Sequence, residues 1–343
     1  MNPMSHPATV ADVALAAGVS RQTVSNVLNR PEVVRPATLS RVQAAIEDLG
    51  YRPHASARRL RTRQSSTLGV RLEPVHGISG AVLDRFLHAL VDSADARGMR
   101  ILLFTATDVA DELAHIERLV EGSDVDGFVL TSTFHDDPRP GWLADREVPF
   151  VLFGRPWGQP EDRIETLPWV DVDGRAGLHE ATAHLAAAGH RRIGFLGWPS
   201  PSGQGDERRH GWQDALAEAG LATEDPVALV CEDDVAAATR TVARAVAEGA
   251  AVDALVCASD TLALGARFAL GASVPVVGYD DTPVAEALAI SSVEQPLTAA
   301  AGAALELLMG SGRSVLPGPT GHHLLTPRVV WREDVGVRPV TDR

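Results

Sequence analysis

Within VADVALAAGVSRQTVSNVLN, residues 10–29, Arg21, Gln22 and Asn26 carry hydrogen-bonding heads at helical spacing. An arginine fork matches the two acceptors of guanine, and side-chain amides match the acceptor and donor of adenine. Ser20, Thr23 and Ser25 suit phosphate oxygens, which position a protein without specifying sequence. Further on, ARRLRTR places Arg58, Arg59, Arg61 and Arg63 around Leu60, basic residues for phosphates and an apolar wedge for a minor groove. No comparable set supports catalysis. His184 and His190 are six residues apart and share no helical face, and the pairs Asp171/Asp173 and Asp280/Asp281 have no third ligand of matching spacing. SPSGQGDE lacks the GxxxxGK[ST] phosphate loop, and no GxSxG elbow occurs. The reading is a binding protein, not an enzyme, with no metal and no cofactor.

The elements that must hold these residues are legible nearby. Val10, Val13, Ala14 and Ala17 form one helical face that stops at Gly18; Thr9, with Asp12 three residues on, reads as its N-cap. Ser20 caps a second helix striped by Val24, Val27 and Leu28. Small Ala14 admits close helix approach, Gly18 supplies a positive φ, and Val24 plugs the angle between the helices, which is the recipe of a helix-turn-helix. A third helix is expected from Pro36 to Leu49, striped by Leu39, Val42, Ile46 and Leu49 and stopped by Gly50. After Pro53, Ala55 to Arg61 is too short to be helical alone, which leaves a solvated linker or a hinge helix that folds on DNA.

From Thr67 the texture becomes apolar strand followed by amphipathic helix. LGVRL, RILLF, DGFVLTS and PFVLFG form one series, and RIGFLG, PVALVC, ALVCAS and PVVGYDD a second, with helices expected at 81–97, 108–121, 175–188, 207–219, 236–248 and 261–270. Such alternation predicts two parallel α/β lobes and excludes a hairpin-rich β fold. Ligands of parallel sheets lie beyond the carboxyl ends of the strands, here the loops bearing Arg155, Trp198, Arg208, Ser259, Asp280 and Gln295. Charge divides the same way: residues 1–67 hold nine arginines against four acids, while the rest holds 22 basic against 41 acidic residues. That is a polyanion-binding head on an acidic body. The 343 residues, 45% hydrophobic, suffice for two or three domains. No long apolar run and no basic-then-apolar start is present, so a soluble, cytoplasmic protein without membrane contact is expected. Cys231 and Cys257 lack CxxC partners and read as core thiols.

The segments TVADVALAAGVSRQTVSNVLN, AAIEDLGYRP and ARRL resemble the lactose/galactose repressor (LacI/GalR) family. LAAAGHRRIGFLG, RRHGWQDAL, CASDTLALGA, PVVGYDD, SSVEQP and LLTPRVVWRED are similar to landmarks of its body, so the likeness runs from Thr9 to Asp334. The resemblance implies a small all-α helix-turn-helix head (1–53), a hinge and linker (54–66), a two-lobed periplasmic-binding-protein-like body (67–333) and a tail (334–343). The expected N-lobe is about 67–168 with 296–313, and the C-lobe about 169–295 with 314–333. It further implies a transcriptional regulator, most members being repressors: a homodimer on a pseudo-palindromic double-stranded operator, with Ala57, Arg58, Leu60 and Arg61 at the DNA and two copies of Leu60 at its centre. By resemblance Arg208, Ser259 and Asp280 hydrogen-bond a small effector, a sugar or related polar metabolite, with Gln295 nearby. Where the family often has a cap, an aspartate, an asparagine and an aromatic, this chain has Arg35, Gly154, Ser259 and the neighbourhood of Asp234; Trp198, Phe153 or Trp169 are candidates to replace the lost stacking. The tail has no leucine heptads for a tetramer-forming coiled coil.

Overall fold

The computed structural model describes residues 8–51, 64–73, 78, 80–222, 226–310, 312, 314–316 and 318–332. Ala57, Arg58, Leu60 and Arg61 of the expected hinge and the tail 334–343 lie outside the described residues. Two compact units divide the chain, Met1–Ser65 and Ser66–Arg343.

In the first unit, α1 (Val10–Ala17) opens on a reciprocal cap. The Thr9 amide donates to Asp12 Oδ2 at 2.8 Å while the Asp12 amide donates to Thr9 Oγ1 at 3.4 Å. Gly18 closes it in the left-handed region (φ 62°), where an L side chain would be strained, and so turns the chain into α2 (Arg21–Asn29). The Ser20 hydroxyl caps α2 by accepting from the Thr23 amide at 3.1 Å. A 3₁₀ turn at Pro31–Val33, absent from the sequence reading, leads to α3 (Pro36–Asp48). Val13, Val24 and Val42 are fully buried, with Ala14, Ala17, Val27, Ala45 and Tyr51 around them. Leu49 departs from expectation: α3 ends at Asp48, Leu49 is 40% exposed, and Ala45 fills the core instead. Arg35 gives α3 no side-chain cap.

The second unit has two six-stranded sheets. The first lobe runs β1 (Thr67–Arg71), α4 (Gly80–Asp95), β2 (Arg100–Phe104), α5 (Val109–Glu121), β3 (Gly127–Leu130), α6 (Arg139–Ala144), β4 (Phe150–Phe153), α7 (Glu161–Thr166) and β5 (Trp169–Val172). The second continues with α8 (Gly174–Ala187), β6 (Ile193–Gly197), α9 (Gln204–Glu218), β7 (Ala228–Val230), α10 (Val235–Ala247), β8 (Ala254–Cys257), α11 (Asp260–Leu270), β9 (Val276–Tyr279), α12 (Pro283–Ala287) and β10 (Ser291–Glu294). The chain then returns through α13 (Leu297–Met309), β11 (His322–Leu325) and β12 (Arg328–Val330). Strand orders are β11-β5-β4-β3-β1-β2 and β12-β10-β9-β8-β6-β7, all parallel except β10 with β12.

Two lobe borders differ from the sequence reading. β5 and β11, expected in the C-lobe, pair with each other in the first sheet, His322 opposite Trp169, so the first crossing falls after Val172 and the last between Leu325 and Arg328. A buried strand carries no residue pattern that names its sheet; pairing partners decide it. Phe86, Leu90 and Val70 pack against Ala301, Ala304 and Leu308 of α13 in the first lobe, and Trp212, Phe195, Val256 and Tyr279 anchor the second. Trp212 is fully buried, its indole N–H donating to the Ile193 carbonyl at 3.0 Å. Among the described residues no helix is long and apolar enough to cross a membrane.

Candidate nucleic-acid interface and ligand cleft

Val24 and Val27 anchor α2 to the core, which turns Arg21 and Gln22 to the exposed side. The Gln22 amide donates to Asn26 Oδ1 at 3.1 Å, pre-setting two adenine-matching groups one helical turn apart. Ser20 and Thr23 share a 2.9 Å hydroxyl contact at the helix start, where unpaired amides and the helix dipole favour phosphate. Ser25 and Asn26 lie half-buried farther along. All six residues expected at DNA here therefore lie on the N-cap and first two turns of α2.

The body's cleft is built from strand ends. Thr131 follows β3, Phe153 ends β4, Trp198 follows β6, Asp280 follows β9 and Gln295 follows β10, and these line one cavity of about 200 Å³ with Gln204 and Arg208 of α9. Arg208, 4% exposed, lays its guanidinium 3.6 Å from the Tyr279 ring centre and donates from Nη1 to the Ala258 carbonyl at 2.5 Å. Its Nε and the Thr131 hydroxyl are buried without a hydrogen-bond partner among the described residues. Asp280 (φ 110°) accepts from Gln295 Nε2 at 2.7 Å. Burial pushes the Asp280 carboxyl up to about 7 against the pull of Arg208.

Of the six body residues expected at the ligand, four meet here: Trp198, Arg208, Asp280 and Gln295. Arg155 lies beside them in a narrow annex with Arg208 and Gln295, its Nε donating to Asp171 at 3.1 Å. Burial raises the Asp171 carboxyl to about 6, against the opposing charge of Arg155. Ser259 does not join them. It is fully buried as the N-cap of α11, accepting from the Leu262 amide at 3.1 Å and donating to Asp233 at 2.5 Å. Asp233 also receives the Trp198 indole at 3.2 Å, which fixes that ring over the cleft, while Asp234 caps α10. Gly154 has its own reason: at φ 115° a Cβ would meet Thr133 Oγ1 at 2.3 Å, so aspartate does not fit.

Sequence reading missed Thr131, Ser132 and Gln204. The strand-end rule covers the first two, which DGFVLTS had absorbed into a strand, and Gln204 is one turn before Arg208 on a helix that starts three residues earlier than expected. Also missed was a buried ion network behind Thr131. Arg139, 1% exposed, donates to Glu112 at 3.0 Å, to Asp137 at 2.7 Å, and to the Thr131 and Ser132 carbonyls at 3.0 and 3.1 Å. From α4, Arg85 reaches the second lobe, donating to the Asp280 and Asp281 carbonyls at 3.2 and 3.1 Å. The carboxylates weighed for a cation are engaged elsewhere: Asp173 caps α8 and Asp281 pairs with Arg332 at 2.7 Å. His184 stacks on Trp331.

A three-helix head with an exposed base-matching row, and a two-lobed α/β body with a polar cleft, define a ligand-responsive DNA-binding regulator. Residues 9–54 match the family described as bacterial regulatory proteins, lacI family, and residues 84–282 match the periplasmic binding proteins and sugar binding domain of LacI family. The HTH-type transcriptional regulator CelR of Thermobifida fusca is 36% identical over 313 residues, covering 84% of this chain and 87% of the relative. Among solved structures, a CelR–cellobiose complex is 30% identical over 95% of this chain and 99% of that one, with TM-score 0.69. The lac repressor dimer bound to operator and the anti-inducer ONPF is 25% identical over 96% and 99%, with TM-score 0.77. This chain belongs to the lacI family of bacterial regulatory proteins. It is a DNA-binding transcriptional regulator with the family's sugar-binding body, not an enzyme.

Proposed function

We propose that the chain is a repressor that binds a pseudo-palindromic operator as a homodimer, and that a sugar-like effector in the cleft of Arg208 and Asp280 sets its operator affinity. One observation carries the effector reading. Arg208 Nε and the Thr131 hydroxyl are buried and unpaired at the same cavity as Asp280, and a buried donor without a partner costs about 1–3 kcal/mol. A polyhydroxylated ligand supplies oxygens to both and hydroxyl donors to the Asp280 carboxylate. The relatives solved with cellobiose and with ONPF support a sugar. Arg155 contributes by holding Asp171 at the rim, and Trp198 by stacking.

On DNA, Arg21, Gln22 and Asn26 contact base edges, Ser20, Thr23 and Ser25 hold phosphates, and Ala57, Arg58, Leu60 and Arg61 form the hinge contact. Effector binding shifts the dimer between two states of different operator affinity. A regulator of this kind works in the cytoplasm, on the nucleoid when operator-bound. The test is a melting-temperature screen with sugars, sugar phosphates and nucleosides, since a ligand of the native state raises its melting point, followed by operator titration with each hit. A sugar that raises the melting point and shifts operator affinity is expected; stabilisation by nucleosides or phosphates alone would replace the sugar reading.

A further inference from the structure

On α4, Val82 and Leu83 line the cavity of Arg208 and Asp280, whereas Arg85 does not line it. Arg85 instead crosses to the second lobe. A single nitrogen, Nη1, donates to the Asp280 carbonyl at 3.2 Å and to the Asp281 carbonyl at 3.1 Å, and its two hydrogens suffice for one bond to each. The Asp281 carboxylate, the ordinary partner for a nearby arginine, is taken by Arg332, so Arg85 acts on backbone.

That backbone is strained. Asp280 stands at φ 110°, outside the left-handed well that aspartate tolerates, and Asp281 follows at φ 47°. Such a conformation persists where its surroundings over-determine it. The second lobe fixes the amide side: the Asp280 amide donates to the Val293 carbonyl at 2.8 Å, the Asp281 amide to the Ser292 hydroxyl at 3.0 Å and the Thr282 amide to Asp260 at 2.7 Å. Arg85 holds the carbonyl side from the first lobe. A turn gripped from both sides fixes the direction of the Asp280 Cα–Cβ bond, and with it where the carboxyl meets a ligand.

We propose that Arg85 is a positioning residue for the effector site: without lining the cavity, it holds the Asp280 backbone so that the carboxyl is presented to the ligand. This rests on the reading of Asp280 as an effector contact. The test compares the full chain with Arg85→Met, Arg85→Lys, Asp280→Asn and the double variant Arg85→Met/Asp280→Asn; melting curves confirm that each folds. The first arm is amide hydrogen exchange without ligand. Arg85→Met should speed exchange at the amides of Asp280, Asp281 and Thr282 about tenfold and leave Leu90 on α4 and Val256 on β8 unchanged. Arg85→Lys, whose ammonium can donate to both carbonyls, should restore slow exchange. The second arm is calorimetric titration with the common hexoses and the disaccharides built from them. Sugar affinity should fall about tenfold in Arg85→Met and recover in Arg85→Lys. The double variant should bind no more weakly than Asp280→Asn alone, a dependence that a merely structural role would not give. Unchanged exchange at the three amides, unchanged sugar affinity, or losses that simply add would overturn the proposal. If no sugar binds the wild type, the sugar reading falls, and the hold of Arg85 on Asp280 stands or falls on the exchange arm.

Discussion

The two candidate binding sites of this chain are built in opposite ways. The proposed DNA face of α2 sets exposed Ser20, Arg21 and Gln22 beside half-buried Thr23, Ser25 and Asn26, all at the start of one capped helix. The cleft is buried, and Thr131, Trp198, Arg208, Asp280 and Gln295 come from strand ends and a helix start spread over two lobes. Solvated side chains can read a partner through geometry alone. Buried ones are held away from water, so their protonation and pairing depend on what else enters. Adaptation of the head to a new operator therefore requires surface exchanges, whereas a new effector requires repacking of a polar core.

Four experiments bear on that contrast. The largest effect is expected from Arg208→Met, which keeps the stem against Tyr279 but removes the charged donors. Effector affinity should fall about a hundredfold while operator affinity without effector stays unchanged. Equal loss of both would mean that the sites are not separable. The second concerns pH. Asp280, near 7, and Asp171 and Asp260, near 6, are all raised chiefly by burial. Unfolding lets each return to an ordinary value near 3.8, so the native state holds extra protons between about pH 4 and pH 7. Stability from these groups is present below about pH 4 and is lost as pH rises to about 7. Melting temperatures measured from pH 5 to pH 8 should thus show a downward component that Asp280→Asn reduces, with the variant melting higher than the wild type at pH 8. An unchanged slope would contradict an Asp280 carboxyl raised by burial.

Smaller effects are expected at the head. Arg21→Ala should lower affinity about tenfold for operators with the preferred base at one position and scarcely at all for operators changed there. Uniform loss across a panel of operator variants would instead identify Arg21 as a phosphate contact. Smallest is Ser20→Ala, which removes the α2 cap and should cost about 1 kcal/mol, read by denaturant unfolding followed by a probe in the head. A loss in the body's unfolding as well would argue against two separate compact units.

By itself the sequence determined the head nearly completely. The Thr9/Asp12 cap, the Gly18 turn, the Ser20 cap and the buried Val24 are set by residues within one or two turns of each other, where propensity and spacing act directly. It also determined the alternation of strands and helices and the rule that loops at strand carboxyl ends face the ligand, which located Trp198, Arg208, Asp280 and Gln295. Tertiary structure alone decided three matters. Sheet membership of β5 and β11 depends on pairing partners about 150 residues apart. Ser259 left the expected set because Asp233 and the Leu262 amide, brought near by two different helix starts, take both its hydrogen bonds. The burial that raises Asp280 and leaves Arg208 Nε and the Thr131 hydroxyl unpaired exists only once both lobes have formed, since desolvation belongs to a surrounding rather than to a residue.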